Sequence, residues 1–417
     1  MQDWITRCRG FARDWLPVMA WTVFIYGCIP LARAVQEWVT EHWTRAAFSW
    51  VVYASVVLGV LAAVRHFRRR AEPMTRRQWV VLLTLAAIFA WGTWHLRGNA
   101  EEAMHLLQYG VLSLLLHRAY SRRYADRGVY ACAALLGAFL GIFDEVIQWA
   151  VPRRFFDFRD MVINVLAVLL IQGGLAAGLA TRCRQIPASH RSARAAWRLA
   201  ALVLLLLLGC LSNTPDVWRP FYSYRPGLFV FDETMVEYGH RIVDPGVGTF
   251  KSRLTAEQLR SEDATRAEEV AEVLRQLGRD DQYEAFLQQY SAVRDPFLHE
   301  LRVRLFRRDR YWNYARANRD DPVKHANLIS ISFAEQRLLE NWYPHTLRAS
   351  GRDWPTDLRA RAEAASHRKP YTSWVSHSLI TSFTERQAQT VLGSLLLVVA
   401  VGGAYDVRRR RRKMETP

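Results

Sequence analysis

The chain has 417 residues, 51% of them hydrophobic, and a formal net charge of +17. That length and apolar content exceed what one ordinary soluble domain needs and suit a membrane bundle joined to a soluble part. The positive charge does not mark a nucleic-acid-binding face: from Leu211 to Gln387 there are 26 Lys and Arg against 25 Asp and Glu, so nearly all the excess lies elsewhere. None of the five cysteines (Cys8, Cys28, Cys132, Cys183, Cys210) falls in that polar stretch, which therefore has to fold without disulfides.

Crossing a bilayer core of about 30 Å takes about 20 mostly apolar helical residues. Such runs lie near 16–32, 47–64, 79–95, 103–117, 129–151, 161–181, 195–212 and 389–405, which predicts eight spans. The stretch from Met1 to Trp15 is polar and the first apolar run has no small-residue cleavage site, so that run is expected to stay as an anchor. Lys and Arg concentrate in alternate connections: Arg65–Arg77 nets +5, Arg118–Arg127 nets +3, Arg182–Arg198 nets +5, and the tail after Val407 nets +5. The three short loops on the other side sum to zero. The positive-inside rule then places both termini in the cytoplasm and Ser212–Arg386 outside.

Three parts are thus expected: a membrane bundle over 1–211, an extracytoplasmic α-helical domain over 212–388, and a last span with a basic cytoplasmic tail over 389–417. The fold class is all-α. Just after the seventh span, DVWRPFYSYRPG reads as an interfacial aromatic belt leading into a loop. Thr255 and Gln258 form a T-x-x-Q capping box ahead of a helix reaching Leu277. Further helical patterns run over Tyr283–Tyr290, Pro296–Ala317, Ser332–Leu347 and Ser373–Arg386.

Charged groups within spans are costly and point to function. Glu102, His105 and Tyr109 follow one another at i, i+3 and i+7 along one stripe of the fourth span. Near the outer end of the fifth span stand Asp144, Glu145 and Gln148. The next loop carries Arg153, Arg154 and Arg159, against the trend of few positive charges outside, and Asp160 and Asn164 open the sixth span on one face.

In order, E-x-x-H-x-x-x-Y-x-x-L, D-E-x-x-Q-x-x-x-P-x-R and D-x-x-x-N resemble the VanZ-like membrane domain, over about residues 101–175. Residue by residue, the resemblance points to His105, Tyr109, Asp144, Glu145, Gln148, Pro152, Arg154, Asp160 and Asn164. It departs from the family pattern at Glu102, Arg153 and Ala167. It implies an integral membrane protein related to proteins associated with glycopeptide (teicoplanin) resistance.

The expected function is an outer-face pocket binding an anionic lipid or a lipid-linked cell-wall precursor, with Arg153 and Arg154 on the anion and Glu102, Tyr109, Gln148, Asp160 and Asn164 shaping the site. Were a bond broken there, His105 with Asp144 or Glu145 would carry the proton. A proton-coupled transporter and a scaffold presenting a partner-binding outer domain are the alternatives. The bilayer and an envelope protein are the expected partners, the bacterial inner membrane the location, and no cofactor or metal is expected because one His and scattered acids match no known ligand spacing.

Overall fold

The computed structural model describes residues 2–69, 73–151, 154, 156–180, 183, 185–222, 234–367 and 369–415. The chain divides into two compact units, Met1–Cys210 with Thr390–Pro417, and Leu211–Gln389.

The first unit contains α1 (Gln2–Cys28), α2 (Ala32–His42), α3 (Ala46–Arg69), α4 (Arg76–His95), α5 (Ala103–Arg123), α6 (Gly128–Ala150), α7 (Phe158–Gly174) and α8 (His190–Leu211). A single π turn carries α7 on to Leu179. Thr75 starts α4 with a capping box: its hydroxyl accepts from the Gln78 amide while the Gln78 side chain takes the Thr75 amide. The chain is a helical membrane protein. The eight expected segments fall on helices, and among the described residues α3, α6, α7, α8 and the last helix of the chain are long and apolar enough to cross alone. The pair α1 and α2, bent by 69°, makes a sixth if taken as one span. Helix α5 falls short because it carries His105, Gln108, Tyr109, Ser113 and His117, and these polar groups are tolerable because α5 lies at the middle of the unit. It packs on α1, α3, α6 and α7, and Leu106, Tyr109, Leu112 and Leu116 are buried in the core they share.

The second unit contains α9 (Pro215–Tyr222), β1 (His240–Asp244), β2 (Gly248–Ser252), α10 (Ala256–Leu277), α11 (Tyr283–Gln289), α12 (Pro296–Ala317), α13 (Pro322–Trp342), α14 (Pro344–Ala349), α15 (Thr356–Ala365) and β3 (Tyr371–Thr372). The last helix, α16 (Glu385–Glu415), then returns to the first unit. The domain is therefore not purely helical. β1 and β2 pair antiparallel with Ile242 opposite Phe250, and β3 adds in parallel with Thr372 opposite Thr249. Gly248 takes a φ of +143° at the point where a Cβ would meet the Tyr371 carbonyl oxygen at 2.0 Å, so only glycine lets β3 close on β2.

Helix α10 begins at the Thr255–Gln258 capping box, and α12 has the limits read from its periodicity. Helix α13 begins at Pro322 rather than Ser332, because Asp321 caps it by accepting from the Lys324 amide. The helix expected from Ser373 does not form before Glu385; that stretch follows β3 directly and carries a bridge from Tyr238 to Ile380. The expected aromatic belt starts as helix α9, and its residues 223–227 lie outside the described ones.

A buried ion network joins the sheet to the helices of this unit. Arg304 on α12, fully buried, pairs with Glu300 at 2.9 Å and Glu335 at 3.3 Å, and donates to the Lys251 carbonyl at 3.1 Å. Glu300 also accepts from Ser252 (2.9 Å) and Tyr343 (3.2 Å), and Glu335 from Tyr371 (2.7 Å) and Ser373 (2.6 Å). Strands β2 and β3 are thereby tied to α12 and α13. Arg304→Met leaves two buried carboxylates without their shared cation, and chemical denaturation of the detergent-solubilised chain is expected to show this unit destabilised by about 3–5 kcal/mol.

His299 on α12 titrates low, at about 4, because burial and the facing Arg253 both oppose its charged form, while Glu237 and Asp295 oppose that effect more weakly. With the folded value below the unfolded value of about 6.5, the unfolded chain takes up the proton first as pH falls. The associated stability is complete above about pH 6.5 and is lost progressively toward pH 4, by at most about 1.4 kcal/mol per pH unit. His299→Gln is expected to flatten this part of the stability profile relative to the wild type, as measured by denaturant titrations from pH 7 to pH 4.

Candidate functional site

The N-terminal end of α5, the C-terminal end of α6 and the N-terminal end of α7 meet at one end of the first unit, because a short connection turns α6 back into α7. Close approach makes this junction. Gly137 and Gly141 lie four residues apart on α6, a small-residue spacing that lets helix backbones come together in membranes. A Cβ at Gly141 would stand 2.9 Å from the Asn164 Cβ and 3.3 Å from the Tyr109 ring; one at Gly137 would stand 2.7 Å from Val168.

Asn164, fully buried on α7, bridges the other two helices. Its Nδ2 donates to the Gly141 carbonyl at 3.0 Å, and its Oδ1 faces His105 Nδ1 at 2.9 Å. Because the amide nitrogen is committed to a carbonyl, the oxygen must accept, and His105 Nδ1 carries the proton. The other ring nitrogen, Nε2, lies 3.7 Å from Asp160 Oδ2. Asp144 Oδ2 lies 4.0 Å from His105 Nδ1.

On α6, Gln148 organises the acids. Its Nε2 donates to Glu145 Oε1 at 2.8 Å and to Asp144 Oδ2 at 3.3 Å, while its Oε1 accepts from the Arg154 guanidinium. The second oxygen of Glu145 accepts from the Asp157 amide at 3.2 Å. Asp144 Oδ1 and Asp160 Oδ1 are buried and accept no hydrogen bond among the described residues. The fold thus brings His105, Asp144, Glu145, Gln148, Arg154, Asp160 and Asn164 into one network. Tyr109 lies beside Asp144, deeper in the bundle, with its hydroxyl donating to the Leu140 carbonyl at 3.4 Å. Glu102 stands at the rim, 3.1 Å from Arg159, and accepts from Asn99 at 2.7 Å. Arg153 and Pro152 lie outside the described residues.

Residues 36–175, about a third of the chain, match the VanZ/LLP1 family model. The matched stretch is thus a VanZ-like region within a larger membrane protein. No curated protein and no solved structure matches the chain. The match starts well before residue 101, where the motifs first become readable, because α3 and α4 contribute apolar packing to the VanZ-like region rather than polar signatures.

Several neighbours of the network escape motif reading. Tyr26 on α1 donates to the Leu140 carbonyl at 2.9 Å, and Trp21 to the Gln108 carbonyl at 2.9 Å, locking α1 against the VanZ-like region. Gln36 on α2 donates to Glu101 at 2.7 Å. The separation of these partners along the chain hides them; the Gly137–Gly141 spacing was the one local signal of close packing. A second polar layer lies deeper, where Gln172 donates to the Ser113 carbonyl at 2.9 Å and faces His117 at 3.3 Å.

The other side of α5 is apolar. A groove of about 450 Å³ runs between α3, α4, α5 and α7, lined by Val52, Phe89, Leu106, Gly110, Ile171 and Leu179 among others. Gly141→Leu forces α6 away from Asn164 and Tyr109. Overpacking of this kind costs about 1–3 kcal/mol, and a lowered melting temperature in detergent is expected, whereas Gly173→Leu, whose Cβ position meets nothing within 4 Å, leaves it unchanged.

Proposed function

We propose that this VanZ-like protein binds an anionic envelope amphiphile, a lipid or lipid-linked cell-wall precursor, with the head group at the His105–Asp144–Arg154 network and a hydrocarbon chain in the apolar groove. The observation that carries the reading is that both features are built on α5. His105 and Tyr109 face α6 and α7, while Leu106 and Gly110 line the groove. A molecule with a polar end and a long apolar tail matches that pairing of surfaces better than a water-soluble solute does. The groove reaches Leu179 and Ala180 at the far end of α7, a length that suits an extended chain rather than a compact ligand.

In this reading the protein sits in a bacterial inner membrane with eight spans and both termini in the cytoplasm. The network faces the outer leaflet, and the unit over 211–389 is extracytoplasmic, where it meets an envelope protein. Arg154, at the rim of the network and held by Gln148, supplies a planar donor to a phosphate or carboxylate. Binding there is linked to glycopeptide-type antibiotic resistance.

The test uses cells carrying only His105→Ala, Asp144→Asn, Arg154→Ala or Gly110→Leu protein at wild-type abundance. Gly110→Leu blocks the groove, since even a Cβ there meets the Phe89 ring at 3.3 Å, and leaves the polar network untouched. Raised teicoplanin sensitivity in all four strains, with loss of copurifying anionic lipid by native mass spectrometry, is expected. Wild-type sensitivity and lipid content in all four strains would falsify the reading in favour of a scaffold.

A further inference from the structure

The network described above contains more acid than its neighbours offset. Asp144, Glu145 and Asp160 converge where, among the described residues, Arg154 is the nearby cation and Arg159 is engaged by Glu102 at the rim. Burying unpaired carboxylates among apolar helices is costly. Protonation of the acids or a bound cation would offset that cost.

We propose that His105, Asp144 and Glu145 bind one divalent transition cation of the Zn²⁺ type, with Asp160 on the open side of the histidine ring. Ligand-capable atoms of these three residues all lie within 4.8 Å of one another, close to the span that a single ion with bonds of about 2.0–2.2 Å bridges after small side-chain movements. Two independent observations point to a ligand there. The carboxylate of Asp144 is 2% exposed, and its Oδ1 has no hydrogen-bond donor among the described residues. His105 Nε2 faces the Asp160 carboxylate at 3.7 Å, too far for a direct hydrogen bond and enough room for an ion between the two.

The surrounding residues match what a metal site needs beyond its ligands. A ligating histidine holds its other ring N–H on an acceptor, which fixes the tautomer; Asn164 Oδ1 does this for His105 at 2.9 Å and is itself anchored through the Gly141 carbonyl. Gln148 holds both α6 carboxylates by one amide group. One imidazole among carboxylates suits Zn²⁺ or Mn²⁺ better than Mg²⁺ or Ca²⁺, which prefer all-oxygen shells. The cation also gives an anionic head group a partner at the bottom of an otherwise acidic site, and this last step rests on the amphiphile reading; metal binding itself does not.

The full-length chain in detergent, stripped with chelator, is titrated with Zn²⁺ and, separately, Mn²⁺ and Mg²⁺, with calorimetry and elemental analysis as readouts and Co²⁺ absorption as a probe of the ligand set. One equivalent of Zn²⁺ is expected. His105→Gln and Asp144→Asn are each expected to weaken it by at least about tenfold, and His117→Gln to leave it unchanged. Zn²⁺ is also expected to raise the melting temperature of the wild type but not of Asp144→Asn, which separates lost binding from lost folding. Failure to bind Zn²⁺ or Mn²⁺, or binding that both variants leave intact, overturns the proposal, as does binding of Mg²⁺ that is indifferent to His105→Gln. Copurifying anionic lipid without metal leaves the amphiphile reading standing and removes the cation; metal without lipid does the reverse.

Discussion

The contact between Asn164 and the backbone of Gly141 is the joint on which the VanZ-like region depends. A glycine on α6 lets α7 come close enough for an asparagine to reach a helix carbonyl, and the same asparagine then sets the tautomer of His105 on α5. In a lipid environment no water repairs a misplaced amide, so this bond and the packing that permits it succeed or fail together. Everything polar at that end of the bundle is arranged around it.

Acidity is the chemical character that results. Gln148 and Arg154 satisfy some of the carboxylate oxygens, but Asp144 and Asp160 each keep one oxygen without a donor among the described residues. A packing role alone calls for groups that satisfy one another, as Ser113, Gln172 and His117 do in the deeper layer. The upper network instead leaves carboxylate oxygens without donors beside a histidine ring nitrogen, and an apolar groove opens on the opposite side of the same helix.

The second unit solves a different problem with related means. Its small sheet is held to α12 and α13 by Arg304 between Glu300 and Glu335, with the guanidinium also over the Phe250 ring at 4.6 Å. Every one of these charges has several partners, which is what makes a buried ion network tolerable. Its aromatic and arginine-rich helix α12 splits its duties: Arg302, Arg304 and Arg308 are buried structural groups, whereas Arg310 and Tyr314 border a separate cavity with Trp374.

The sequence by itself determined what depends on local pattern. Apolar runs of spanning length located the helices of the first unit other than α2, the capping box at Thr255 and the limits of α12 followed from short-range rules, and the polar positions of α5, α6 and α7 were readable because intramembrane charge is rare. The short sheet was missed although DPG between two alternating five-residue stretches is a hairpin signal; helical periodicity on either side outweighed it. Tertiary structure decided what depends on partners far apart in the chain: that α5 is central and so tolerates its polar groups, that Tyr26 and Leu140 meet, and that His105, Asp144 and Glu145 lie close enough to share one ion. Spacing along a helix specifies which residues share a face. Only the approach of a second and third helix, set here by two glycines, specifies what that face meets.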